Sequence, residues 1–149
     1  MGLIYLDADA CPVKEQVWKV AARLGLEVAV VANSPLRIPT QSGVRMVVVP
    51  GAFDAADDWI AERAGPGDLV LTADIPLAAR VVEAGARCLD FRGKESTPSR
   101  VVEALAARDL NHYLRQMGMA PGGPAPFSDQ DRGRFASALD TAARKITRP

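Results

Sequence analysis

The residues of this chain best suited to chemistry are aspartates. Asp7 and Asp9 follow the apolar run Leu3–Leu6, and Asp74 follows the run Leu69–Thr72. Asp54, Asp57 and Asp58 open a helical segment after Val44–Val49. Their spacing of three and four residues places them on one face of that helix. Two carboxylates about 4 Å apart repel by roughly 4 kcal/mol at an effective dielectric of 20. A gathered set of aspartates therefore calls for protons or for a cation. Oxygen donors without a His or Cys cluster suit Mg2+ or Mn2+ rather than zinc. Such an ion serves phosphate chemistry by polarising a phosphoryl oxygen, activating water and stabilising the leaving oxygen. On this reading Asp7, Asp9 and Asp74 are the candidate catalytic groups, and Asp7, Asp54, Asp58 and Asp74 the candidate metal ligands. Plain structural work suits some of the same residues. Asp9 can cap the helix that begins near Pro12, and Asp54 can cap its own.

The elements that must position these acids follow from periodicity. Leu3–Leu6, Val28–Ala32, Val44–Val49, Leu69–Thr72 and Ala86–Leu89 read as short apolar strands. Pro12–Leu24, Asp54–Ala64 and Pro76–Ala84 read as helices between them, the first closed by Gly25. Asn33–Gly43 is a long loop rich in turn residues. Strands that are apolar on both sides and alternate with helices imply a parallel sheet covered on both faces. Ligands of such sheets bind beyond the carboxyl ends of the strands, which is where Asp7, Asp9 and Asp74 fall. After residue 91 the pattern changes. Arg92–Pro98 reads as a polar loop, Ser99–Gly118 as a long helix, and Ala120–Phe127 as a stiff, turn-rich segment. Ser128 then opens a last helix to about Ile146, with Asp131 as its capping-box partner. The chain reads as one domain, residues 1–149, with an α/β core over 1–91 and a helical C-terminal extension over 92–149 that lies on the sheet as a lid.

Composition bounds the rest. A chain of 149 residues with 48% apolar side chains can bury a core without disulfides. Two cysteines, Cys11 and Cys88, make neither a disulfide framework nor a Cys-rich zinc site. No apolar run has the length of a membrane span, and the first residues carry no basic leader, so a cytoplasmic location is expected. Net charge is zero, from 18 basic and 18 acidic side chains, which argues against a general nucleic-acid coat. The distribution is uneven. Residues 1–91 hold 12 acidic and 8 basic side chains, and residues 92–149 hold 6 acidic and 10 basic, so the halves carry −4 and +4.

Several further residues are candidates of a weaker kind. Asn33 and Ser34 follow a strand toward the acidic rim and offer amide and hydroxyl groups to a substrate; an Asx-turn explains them equally well. Arg92, Lys94 and Arg132 are candidate phosphate contacts, with a solvated surface as the alternative. Cys11 precedes a helix N-terminus, where a thiol pKa is lowered, but no CxxC or phosphate-loop pattern accompanies it, and packing is expected. His112, the only histidine, lies mid-helix without a nameable partner. Trp18 and Trp59 stand at core spacing.

The blocks YLDADACPVK, ANSP, GAFDAADDWIAE, GDLVLTADIPLAA and GGPAPFSDQDRGRF occur in order across almost the whole chain. Together they resemble the YaiI/YqxD family of bacterial proteins, which is grouped with PIN-like domains. PIN-like domains are metal-dependent nucleases with an acidic cluster at the rim of a parallel sheet. The resemblance implies a three-layer PIN-like fold, with Asp7 holding metal from the first strand and Asp74 from the fourth. The helix acids Asp54, Asp57 or Asp58 would complete the site. The segment RGKESTPSRVV departs from the RG-x-x-aromatic-T pattern of that family.

Three functions compete. The first is an Mg2+- or Mn2+-dependent phosphodiester hydrolase of RNA or single-stranded DNA, with the basic tail holding the backbone. The second is a phosphatase of the haloacid-dehalogenase type, for which LIYLDAD offers Asp7 as nucleophile and Asp9 as acid–base. The third is a non-catalytic module that binds nucleic acid or protein on a PIN-like shell.

Overall fold

The computed structural model describes residues 2–52, 54–119 and 125–147. The N-terminal part alternates strand and helix: β1 (Leu3–Asp7), α1 (Lys14–Leu24), β2 (Glu27–Ala32), β3 (Val44–Val48), α2 (Ala55–Arg63), β4 (Leu69–Leu71), α3 (Ile75–Glu83) and β5 (Arg87–Leu89). A two-residue β6 (Glu95–Ser96) and two 19-residue helices follow, α4 (Pro98–Gln116) and α5 (Asp129–Thr147). The six strands form one sheet in the order β3-β2-β1-β4-β5-β6, parallel except for β6. This is the mostly parallel, helix-flanked α/β architecture with a C-terminal helical extension that the sequence predicts.

Side-chain alternation explains the two layers of helix. Ile4, Leu6, Val28, Val30, Leu69 and Leu71 point to one face, where Val13, Val17 and Val20 of the α1 region meet them. Tyr5, Ala29, Val31 and Val70 point to the other, against Ile60 of α2 and Leu77 and Val81 of α3. The central strands are thus apolar on both sides, which is why they read as continuous runs rather than alternating ones. Helix ends also follow local chemistry. Gly25 closes α1 in the left-handed conformation, at φ 66°, which costs an L side chain energy but not glycine.

The last helix belongs to the core. Phe135, Leu139, Ala142, Ala143 and Ile146 of α5 are buried on the α1 face of the sheet. Its start is a reciprocal cap: Asp131 N donates to Ser128 Oγ at 3.2 Å, and Ser128 N donates to Asp131 Oδ2 at 3.0 Å. Arg92 reaches the same carboxylate at 3.0 Å. The Ser128 backbone bond, its hydroxyl, and the Arg92 and Arg134 guanidiniums outweigh burial and hold the Asp131 carboxyl below its usual range. At the far end of the layer Arg23 of α1 pairs with Asp140 of α5.

Two sequence expectations change. Arg92–Pro98 is not all loop, because β6 pairs antiparallel with β5 through Cys88↔Ser96 and Leu89↔Glu95. The turn between them is tied by Asp90, whose Oδ1 accepts from Arg92 N at 2.9 Å and Lys94 N at 2.8 Å. Two polar residues carry no periodicity from which a strand could be read. The segment Ala120–Phe127 lies in part outside the described residues, at 120–124. No helix among the described residues is long and apolar enough to cross a membrane.

Candidate functional site

The strand order fixes where a site belongs. From β1 the chain winds outward through β2 to β3, then returns to the other side of β1 to lay down β4 and β5. The winding reverses between β1 and β4, and open α/β sheets bind ligands at the strand carboxyl ends beside such a point. Asp7 is the last residue of β1, and Asp74 lies just after β4. Both reach a cavity of about 340 Å3, whose lining also includes Asp9, Asn33 and Asp57.

Each side chain has a traceable support. Asp7 Oδ2 accepts a hydrogen bond from Thr72 Oγ1 at 2.7 Å, and the same hydroxyl oxygen accepts from Asp74 N at 3.0 Å. Thr72 is itself buried, so it fixes the two acids relative to each other. Asp74 caps α3 by accepting from Leu77 N on Oδ1 at 2.8 Å. Asp9 does not cap α1, whose first flanking residue is Val13 with no side-chain cap. Its carboxylate instead accepts from Asn33 N, at 3.2 Å to Oδ2 and 3.4 Å to Oδ1. The Asn33 side-chain Oδ1 is buried without a hydrogen-bond partner. Leaving a buried acceptor unpaired is costly, and this one belongs to a residue lining the cavity.

Electrostatics record the crowding. Burial raises the Asp7 carboxyl above its ordinary pKa; the Thr72 hydrogen bond opposes this, and Asp74 and Asp9 add to it. Asp57 is pushed up to about 6, first by burial and then by Asp7, Asp74, Asp58 and Asp54. These are the two causes, desolvation and like charge, that push carboxyls toward neutrality.

The helix acids sort differently from the sequence expectation. Asp57 lines the cavity; Asp54 and Asp58 do not. Asp54 is exposed at the start of α2 and makes no side-chain cap there. Asp58 pairs with Arg80 of α3 at 2.6 Å. All three share the first turn, but only one rotation about the helix axis points at the rim. Of the other candidates, Ser34 is exposed and does not line the cavity. Arg92 binds Asp131 and the Ala125 carbonyl, and Arg132 binds the Pro12 carbonyl at 3.1 Å. Both guanidiniums lie over the Phe127 ring, at 5.8 and 5.5 Å, so both fasten the start of α5. Lys94 faces neighbouring clefts, taken up below.

Sequence reasoning missed Thr72 as a positioning residue, although the run Thr72-Ala73-Asp74 at a strand end was in view. Cys11 and Cys88 are buried, and burial pushes their thiols up to about 11 and about 12, so neither is a nucleophile. His112 is exposed on α4 and contacts Gln116 at 3.2 Å. Trp59 packs edge-on against Tyr5 at 6.1 Å, and Trp18 packs at the margin of the α1-side core.

The donor set is of one chemical kind. Four carboxylates and one carboxamide oxygen suit a hard divalent cation such as Mg2+ or Mn2+. Among the described residues, no three His, Cys, Asp or Glu side chains converge on one point as a ready-made metal cage. Mg2+ keeps several waters and takes one or two protein carboxylates, so Asp7 and Asp74 would suffice, with the free Asn33 Oδ1 beside them.

Fold and site together define an open α/β domain with a carboxylate-lined cavity at its topological switch point. The chain matches the family model described as uncharacterised bacterial proteins, YaiI/YqxD family, over residues 5–145. It belongs to that family. Its relatives include UPF0178 proteins of Rhodospirillum centenum, 53% identical over 149 residues and covering 97% of each chain, and of Caulobacter sp. strain K31, 51% identical over 148 residues with 99% and 98% covered. A UPF0178 protein of Rhodopseudomonas palustris strain BisB18 is 52% identical over 145 residues, with 97% and 94% covered. No solved structure matches the chain.

Proposed function

We propose that this chain is a divalent-cation-dependent phosphodiester hydrolase acting on RNA or single-stranded DNA. The observation that carries the reading is the convergence of Asp7, Asp9, Asp57 and Asp74 on one cavity at the switch point. Asp7 and Asp74 would hold Mg2+ or Mn2+, set by Thr72. A bound cation of this kind polarises a phosphoryl oxygen and makes its water nucleophilic. Asp9 and Asn33 brace the rim from β2 through their mutual hydrogen bond. Asp57, with a pKa of about 6, exchanges a proton near neutral pH, the range in which a carboxyl works as a general acid or base. We further read the chain as cytoplasmic, on its two free, buried thiols.

The absence of a ready-made three-ligand cage among the described residues favours one second reading, a non-catalytic module that binds nucleic acid or protein. A haloacid-dehalogenase-type phosphatase has less support: that chemistry needs a lysine beside the nucleophilic aspartate, and no lysine lines the cavity. Asp7→Asn separates the readings. It keeps an acceptor for Thr72 and removes one charge, so the fold stays intact. Cation-dependent cleavage of single-stranded oligomers should vanish in this variant. Cation binding by the wild type without turnover would instead favour the binding module.

A further inference from the structure

The largest cavity among the described residues is a different one, a cleft of about 860 Å3 between the β5–β6 hairpin and α5. Six cations line it, Arg87, Arg92, Lys94, Arg100, Arg134 and Lys145, against Glu95 as its only carboxylate, a net of +5. The cause is helical spacing: Arg134, Ala138, Thr141 and Lys145 fall on one face of α5 and look across at the hairpin. Asp131 neutralises Arg92 and Arg134, and Glu95 pairs with Arg87 at 3.0 Å. Lys94, Arg100 and Lys145 have no carboxylate partner among the described ion pairs. Arg100 is also placed against its own helix. It stands in the first turn of α4, which holds no acidic residue, where the helix dipole disfavours a cation. Stability gives no reason for three uncompensated cations in one cleft, whereas an anionic ligand does.

The cleft leads to the acidic cavity. A smaller cavity of about 220 Å3 shares Lys94, Glu95 and Arg100 with the cleft, and Ala73 and Asp74 with the acidic cavity. Lys94 and Arg100 therefore stand between Lys145 and Asp74. We propose that the cleft binds the phosphodiester backbone of a single-stranded nucleic acid and delivers it to Asp74. Its role as a substrate track rests on the hydrolase reading above; the binding itself does not. Arg supplies four of the six cations, and its planar fork matches phosphate oxygens. No aromatic side chain lines the cleft, so bases find no stacking platform and recognition is through phosphate, indifferent to sequence. Its volume is that of a site enclosing a compact ligand, which admits a few nucleotides of flexible strand and excludes a rigid duplex.

The test is fluorescence anisotropy of labelled oligouridylate and oligodeoxythymidylate ten-mers in EDTA, without divalent cation. The wild type is compared with Lys94→Ala/Arg100→Ala/Lys145→Ala and with a charge-matched control, Arg37→Ala/Arg45→Ala/Arg108→Ala, outside the cleft. For three phosphate contacts the slope of log affinity against log salt is about −2, roughly a 20-fold loss between 50 and 200 mM salt. The cleft variant should lose that slope, and the control should keep it, with both unfolding like the wild type. Equal losses in the two variants, no binding by the wild type, or equally tight binding of polyglutamate would overturn the proposal. Failure of the hydrolase reading looks different: salt-sensitive binding through the cleft persists, and added Mn2+ cleaves nothing. Cleavage that persists unchanged in the cleft variant would sink the cleft and leave the hydrolase standing.

Discussion

Asp57 shows most plainly what the acidic rim costs the fold. The folded chain keeps the Asp57 proton up to about pH 6, while an unfolded chain releases it near the ordinary value of 3.8. Between those values the folded state binds more protons, so stability falls as pH rises through that window and stays lowered above it. Asp57→Asn should therefore match the wild type near pH 4 and exceed it at pH 7, by on the order of 1 kcal/mol once solvent screening of a part-exposed group is allowed for. Urea unfolding of both proteins at the two pH values measures this; a difference that does not change with pH would show that the acids are not crowded. At this scale the sequence was partly legible. Asp7 and Asp74 declare themselves by ending apolar strands. The choice among Asp54, Asp57 and Asp58 was not legible, because it turns on Arg80 of another helix drawing Asp58 away. Thr72 was hidden for a similar reason: its hydroxyl bridges residues 65 positions apart in the chain.

Strands and helices of the α/β core were legible because each is a run of one period, and their predicted ends lie within one or two residues of the observed ones. The extension was harder to read. Its helices could be found from caps and spacing, but whether α5 lies on the sheet depends on facing surfaces that no local window contains. Phe135 is fully buried between sheet and helices. Phe135→Ala should cost about 3–5 kcal/mol in denaturant unfolding; a loss of a few tenths would mean that α5 is a separate arm. The β5–β6 turn offers a second check on the same packing. Gly93 has φ 88°, and a Cβ there would lie 2.7 Å from the Arg134 carbonyl oxygen. The left-handed backbone alone costs an L residue about 1–2 kcal/mol. Gly93→Ala should lose at least that much and loosen the start of α5, seen as faster amide exchange over the first turns of that helix. Unchanged stability and exchange would contradict the contact.

On the scale of the whole molecule, the uneven charge of the sequence becomes geometry. The acidic N-terminal part supplies the switch-point cavity, and the basic C-terminal part supplies most of the cleft that opens toward it. Zero net charge hid both. The decisive measurement titrates Mn2+ and Mg2+ calorimetrically into the wild type, Asp7→Asn and Asp74→Asn, with single-stranded RNA and DNA oligomers followed for cleavage in the same samples. Asn caps a helix as well as Asp does, so Asp74→Asn keeps α3 in place, and both variants should melt no lower than the wild type. A divalent-cation-dependent hydrolase requires millimolar or tighter binding and cleavage in the wild type, with both lost in the two variants. No cation binding at millimolar metal, or cleavage undiminished in Asp7→Asn, would contradict it.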